Sequence, residues 1–305
     1  MTKAASPTRV AELYGRPTFG PADWKAIADG QRCPFLDRKC LKNRKSEPDI
    51  TIGTCTMIYG RQLRPVMICP FRLLERSQIF TDCVHLLKLH EPGNELRIIA
   101  ELAVPGGSID YCLVSVRNGK PRDFVGIELQ TLDTTGTVWP ERQRFLRQHS
   151  VRVRQEDASS GKPFGMNWKM TAKTILVQLN HKIATFEHLS KRLVLVVQDH
   201  FLSYMRGEFA FGHIRGVRDG DAMQFHAYEL RKGAAAYTLR LDERLSTDAA
   251  GIAMCLGLRA ETRVELQTIL DQIEVKLPQS TLLTFGGGPL PVSEVTDIKA
   301  DEAGP

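Results

Sequence analysis

Asn118-Gly119 sits between two stretches that read as strands, Ile109 to Val116 before it and Asp123 to Gln130 after it. Asn-Gly is the two-residue loop best suited to a type I′ turn. Both central positions then need positive φ, and the turn matches the right-handed twist of the strands it joins. The chain therefore has to double back here as an antiparallel hairpin. Arg97 to Val104 reads as one more strand, joined to the hairpin through Pro105-Gly106-Gly107, so an antiparallel meander is expected.

Further along, Thr171 to His188 reads as a helix, with Ile175, Leu176, Leu179, Ile183 and Phe186 near helical spacing. Arg192 to Asp199 is a continuous apolar run, as in a strand covered on both faces. Ala222 to Glu229 and Ala236 to Leu241 are further strands, and Ala249 to Leu256 and Thr262 to Val275 further helices. Together these predict an α/β fold with a central mixed β-sheet flanked by helices.

Residues 1–20 read as a loose lead-in, 21–90 as a small subdomain, 91–290 as the core domain and 291–305 as a polar, acidic tail. The segment from Gln31 to about Cys83 is dense in Cys, Pro, Arg and Lys, with little apolar material to fold on. That texture calls for a staple. Cys33, Cys40, Cys55 and Cys69 are candidate ligands of a tetrahedral metal, zinc or a single iron. Cys83, Cys112 and Cys255 lie in apolar segments and are expected in the core. The N-terminus lacks the apolar stretch of a secretory signal, and Leu193 to Val197 is far too short to cross a bilayer. A soluble intracellular protein with reduced cysteines is expected, with no membrane partner.

The meander carries the chemistry. Glu128 and Gln130 are two residues apart on a strand and so share a face, and the hairpin can bring Asp110 beside Glu128. Two carboxylates and an amide in that arrangement suit a Mg²⁺ ion and a water. The ion would supply the Lewis acid and the acidified water that phosphodiester hydrolysis needs. Asp110 and Glu128 are the expected ligands and Gln130 the group that positions the water. A further acid could come from Glu95 or Glu101. Asp and Glu are common on strands, so this pattern alone is not diagnostic.

The net charge of +6 favours a polyanionic partner without requiring one. Arg38, Lys39, Lys42, Arg44 and Lys45 run among the cysteines and are candidate DNA contacts, as is Arg142 in a later series with Arg144, Arg147, Arg152 and Arg154. The plain alternative is a solvated charged surface. Trp139 is expected to pack its loop rather than stack on a base.

An ordered series of short motifs resembles the NotI-type restriction endonucleases. It comprises Cys33-Pro34-Phe35, Lys45-Ser46-Glu47-Pro48, Ile52-Gly53-Thr54-Cys55, Ile68-Cys69-Pro70, Pro105 to Tyr111, and Gly126 through Trp139-Pro140-Glu141-Arg142. It spans most of residues 30–150; from Ser150 onward no comparable signature is seen. The resemblance implies a type II restriction endonuclease with a PD-(D/E)xK core, acting as a homodimer on palindromic, GC-rich double-stranded DNA. It also implies a cytoplasmic, prokaryotic setting with a companion DNA methyltransferase. The catalytic positions implied are Asp110, Glu128 and Gln130, with an upstream glutamate for which Glu95 is the preferred match and Glu101 the second. The four cysteines would hold iron in a rubredoxin-like site, with zinc as the alternative. Two other readings compete: a metal-stapled, sequence-specific DNA-binding protein that does not cleave, and a structure-specific repair nuclease.

Overall fold

In the computed structural model, residues 8–258 and Asp271 are described. The expected tail at 291–305, and the helix from Thr262 to Val275 apart from Asp271, lie outside the described residues.

Two sheets organise the chain. The smaller has four strands: β1 (Val10–Leu13), β2 (Arg16–Pro17), β3 (Thr54–Tyr59) and β4 (Arg64–Met67), in the order β2-β1-β3-β4. The larger has seven: β5 (Glu95–Val104), β6 (Gly107–Arg117), β7 (Lys120–Gln130), β8 (Arg192–Gln198), β9 (Arg215–Gly216), β10 (Met223–Lys232) and β11 (Tyr237–Thr247). Its spatial order is β9-β11-β10-β8-β7-β6-β5.

The meander is present as expected. β6 pairs antiparallel with both β5 and β7, and Arg117 faces Lys120 across the turn. Asn118 (φ 53°) and Gly119 (φ 72°) are both left-handed, as a type I′ turn requires. At its other side β7 turns the sheet mixed: it runs parallel to β8, pairing Val125 with Arg192 through Gln130 with Val197, and β8 runs parallel to β10. β8 is buried along nearly its whole length, which explains its unbroken apolar sequence.

Side chains that alternate along β7, β8 and β10 feed two separate cores. Leu193, Leu195, Val197 and Phe225 pack with Ile175, Leu179 and Phe186 of the long helix Trp168–His188. Val125, Ile127, Val194 and Val196 face the other way, onto Leu73, Ile79, Phe80 and Leu86. The sheet is thus covered on both faces, in keeping with the expected α/β architecture.

The N-terminal region differs from expectation. Residues 8–20 are no loose lead-in, because β1 is fully buried between β2 and β3. Nor is the cysteine-rich segment short of core contacts. Val10, Leu13 and Met57 join the long helix in one core, and Ala11 and Met67 join the other. The apolar partners are supplied by distant parts of the chain, which composition within the segment cannot show.

A buried ion pair ties the small sheet to the large one. Arg72 and Glu12 are each 1% exposed, with Arg72 Nε 2.8 Å from Glu12 Oε2. Thr56 Oγ1 donates to the same carboxylate, and Arg72 also reaches Glu75 and the carbonyl of Tyr237 on β11. Removing one partner of such a pair strands a charge in the interior. Arg72→Met should lower the free energy of unfolding by about 3–5 kcal/mol, read from urea denaturation, and Arg72→Met/Glu12→Leu should lose less than the single variant.

Candidate active site

β6 and β7 bring Asp110 and Glu128 to the same end of the hairpin. Tyr111 pairs with Ile127, and the side chain of Asp110 crosses to accept the Leu129 N–H at 2.8 Å. Asp110 is exposed, whereas Glu128 is 4% exposed. Glu128 lies on the face of β7 that meets the long helix. Burial pushes its carboxyl up to about 7; the charge of Asp110 adds to the rise and a hydrogen bond from Lys182 opposes it. Gln130 is half-buried, with Nε2 donating to the Thr131 carbonyl at 2.6 Å.

Lys182 was not apparent from the sequence as a site residue. It projects from the long helix, is 5% exposed, and its Nζ lies 2.5 Å from Glu128 Oε1. A signal was present: Ile175, Leu179, Lys182 and Phe186 follow helical spacing, so a lysine interrupts an apolar stripe.

The two upstream glutamates separate clearly. Glu95 pairs with Val116 at the far end of β5, where its carboxylate is engaged by Arg97. Six residues of strand, roughly 20 Å, lie between it and Glu101. Glu101 falls between Ala100, opposite Tyr111, and Leu102, opposite Ile109, and so lies across from Asp110. Its φ of 55° puts it in the left-handed region, a local kink in a strand whose register is unbroken. Its charge is felt at Tyr111, as is that of Asp110. Glu101 therefore lies at the Asp110 end of the sheet, and Glu95, the preferred match by resemblance, at the other end.

The basic candidates also divide. Arg38, Lys39 and Lys45 are exposed, and Arg38 is near enough for its charge to act on Tyr111, beside Asp110. Lys42 instead turns inward, donating to the Ile68 carbonyl and placing its charge by Cys69. Arg44 is engaged by Glu47 and Asp157. Arg142, expected as a DNA contact, is 4% exposed; its guanidinium donates to the Ile52 carbonyl, the Gln143 side chain and the Tyr14 hydroxyl. Trp139 packs against both arginines, at 4.4 Å from Arg44 and 4.6 Å from Arg142.

All seven cysteines are buried. Burial holds Cys112 and Cys255 up at about 11 and Cys83 at about 12, which fits the core role expected of them. The other four are neighbours. Cys55 hydrogen-bonds Cys69, and Cys33 feels both Cys69 and Cys40. Cys69 is lowered to about 7, chiefly by the bond to Cys55, helped by Lys42 and the backbone N–H groups of Phe71 and Arg72. A similar turn occurs at Cys33, where burial raises the thiol above its ordinary value although the N–H groups of Leu36 and Phe35 face the sulfur and oppose the rise. Both turns begin Cys-Pro-Phe. Among the described residues, no three His, Cys, Asp or Glu side chains stand arranged to hold a metal ion, so the four thiols are adjacent without forming a closed cage.

The sequence profile described as "Restriction endonuclease NotI" matches residues 25–241, from the cysteine segment through the meander and long helix into β11. The chain belongs to the NotI restriction endonuclease family. It is a type II restriction endonuclease, a hydrolase that cuts double-stranded DNA at specific sites. The match also runs on well past Ser150, where short motifs had ceased to be recognisable. No curated protein sequence matches the chain. Among the described residues, no helix is long and apolar enough to cross a membrane.

For this restriction enzyme the burial of Arg142 has a direct consequence. Arg142→Ala should lower the thermal midpoint by several degrees, because three hydrogen bonds and a stacked ring lose their partner. The slope of log K against log[salt] for DNA binding should stay at the wild-type value, since no phosphate contact is removed.

Proposed function

We propose that this restriction endonuclease cleaves with Mg²⁺ at a PD-(D/E)xK-type site built from Asp110, Glu128 and Gln130, with Glu101 as the upstream acid. The observation that carries the proposal is the meander itself. It sets an exposed and a buried carboxylate side by side, with Glu101 at the register position across from Asp110 on the neighbouring strand. The donors are all oxygen, which suits Mg²⁺, and an ion that keeps several waters needs few protein ligands. When bound, it supplies Lewis-acid stabilisation of the phosphoryl oxygens and a more acidic water. Gln130 orients the attacking water through its amide; being neutral, it contributes no charge of its own.

The exposed Arg38, Lys39 and Lys45 grip phosphates, with Arg38 next to the acids; such contacts set register rather than read sequence. Two copies acting as a homodimer match a palindromic, GC-rich site, each cutting one strand. A companion methyltransferase protects the same site on the host chromosome in a prokaryotic cytoplasm.

Cys33, Cys40, Cys55 and Cys69 hold a structural metal, a rubredoxin-like iron with zinc as the alternative. Their fit rests on the donor set: four adjacent buried sulfurs, two of them on turns whose N–H groups stabilise thiolate. Purified protein should show the visible absorption of ferric thiolate if the metal is iron and none if it is zinc. Cys55→Ser should lose metal and soften the fold, measured by metal analysis and thermal denaturation; full metal content in that variant would rule out the four-cysteine site.

Cleavage should vanish with EDTA. Glu128→Ala and Glu101→Ala should abolish cutting of plasmid DNA while leaving metal-free specific binding in place, and Glu95→Ala should cut within about threefold of wild type. A dead Glu95→Ala beside an active Glu101→Ala would reverse the assignment of the upstream acid.

A further inference from the structure

The buried ion pair between Lys182 and Glu128 carries an inference that deepens the proposed cleavage site and rests on that reading. We infer that Lys182 is a positioning residue for cleavage: from the long helix it fixes Glu128 and supplies the positive charge that the Glu-x-Gln strand lacks.

Three observations support this. First, the pair is an unfavourable way to join a helix to a sheet. Both groups are nearly dry, and a buried pair is often no more stabilising than apolar residues of similar size. Lys182 also takes a place in a stripe whose neighbours, Leu179, Ile183 and Phe186, are all apolar and buried. A leucine there would serve packing alone.

Second, the turn that precedes Asp110 is fitted to this part of the helix. A Cβ on Gly106 (φ +91°) would lie 2.2 Å from the carbonyl oxygen of His181, and one on Gly107 would lie 3.2 Å from Lys182 Cε. The Gly-Gly turn lets the backbone approach closely enough to seat the lysine stem. The strand bearing Asp110 and the helix bearing Lys182 are thus matched at one place.

Third, the side chains that the meander itself contributes there carry no positive charge. Asp110 is the neighbour of Glu128, Glu101 lies one strand further on, across from Asp110, and Gln130, on the same face of β7 as Glu128, is neutral. Lys182 is the cation bonded to Glu128, which it meets at Oε1. A preorganised charge of this sort costs no rearrangement when phosphate enters.

The test uses the full chain in four forms besides wild type: Lys182→Met, Lys182→Arg, Glu128→Ala, and Lys182→Met combined with Gln130→Lys. Single-turnover cleavage is measured at saturating Mg²⁺ on a plasmid that the wild type linearises, with binding to the same DNA measured in Ca²⁺. Lys182→Met should bind as wild type and cut about a hundredfold more slowly. Restoring an amine on the same face in the combined variant should recover at least tenfold of that loss, and Lys182→Arg should retain more activity than Lys182→Met. A merely structural lysine predicts no such rescue. Cutting by Lys182→Met within about threefold of wild type, with Glu128→Ala inactive, would overturn the inference and leave the nuclease site standing; an active Glu128→Ala would remove the site reading and the inference with it.

A second readout needs no cleavage and no variant at Lys182. In metal-free wild-type protein, a slowly exchanging lysine ammonium should give a ¹H–¹⁵N correlation that disappears in Glu128→Gln. Its absence from wild type would overturn the inference even if every Lys182 variant failed to fold.

Discussion

The site depends on keeping a carboxylate inside the protein. Glu128 lies on the helix-covered face of the sheet, where burial favours its neutral form. Strand geometry leaves little choice: the residues on either side, Ile127 and Leu129, belong to the opposite core, so Glu128 has to face the long helix. Exposure is not available to relieve the cost. Relief comes instead from a single ammonium group on that helix, and the helix can come close enough because the Gly106-Gly107 turn has no side chains. The turn, the hairpin and the lysine therefore make up one device, although about seventy residues of sequence separate its ends.

The small N-terminal sheet is built on the same economy of charge. Glu12 on β1 is as dry as Glu128 and is satisfied by Arg72, Thr56 and its place in the β1–β3 ladder. Arg72 in turn follows directly on the Cys69-Pro70-Phe71 turn, and its own backbone N–H faces the Cys69 sulfur. Whatever orders the cysteine turns thereby also orders the guanidinium that anchors this sheet to β11. The hairpin carrying Arg38 leaves from the matching Cys33 turn. The cysteine segment is consequently joined to β11 of the large sheet through Arg72, and the charge of Arg38 reaches Tyr111 of the meander.

The parts of this arrangement that were legible in the sequence are those set by local rules. Asn118-Gly119 specified the hairpin, and apolar continuity marked β8 as a doubly covered strand. Four-residue β1 was missed because its burial comes from pairing with β3, more than forty residues later, and nothing in Val10 to Leu13 alone signals that. Glu95 was preferred to Glu101 because spacing along a strand carries no information about register. The register in which β5 pairs with β6 places Glu101, six residues from Glu95, across from Asp110. Lys182 could have been suspected as a charge on an apolar stripe. Its partner could not have been named, since helix-to-strand docking is a tertiary fact.

Charge counting misled most where arginine was concerned. A guanidinium has five donors and a flat apolar face, so it can be spent entirely within a protein. Arg142 does this, using its donors on the Ile52 carbonyl, Gln143 and Tyr14 while its face lies over Trp139; Arg44 stacks against the same ring and is held by two carboxylates. Arg142 ties the helix Trp139–Gln148 to Ile52 and Tyr14, and Arg44 links Trp139 to Glu47 and Asp157. The exposed basic groups of the cysteine segment are Arg32, Arg38, Lys39, Lys45, Arg61, Arg64 and Arg76, and Arg32 is already paired with Asp37. A net charge of +6 spread over the whole chain therefore says less about where DNA lies than the position of Arg38, an exposed cation held by the cysteine hairpin within electrostatic reach of the acids.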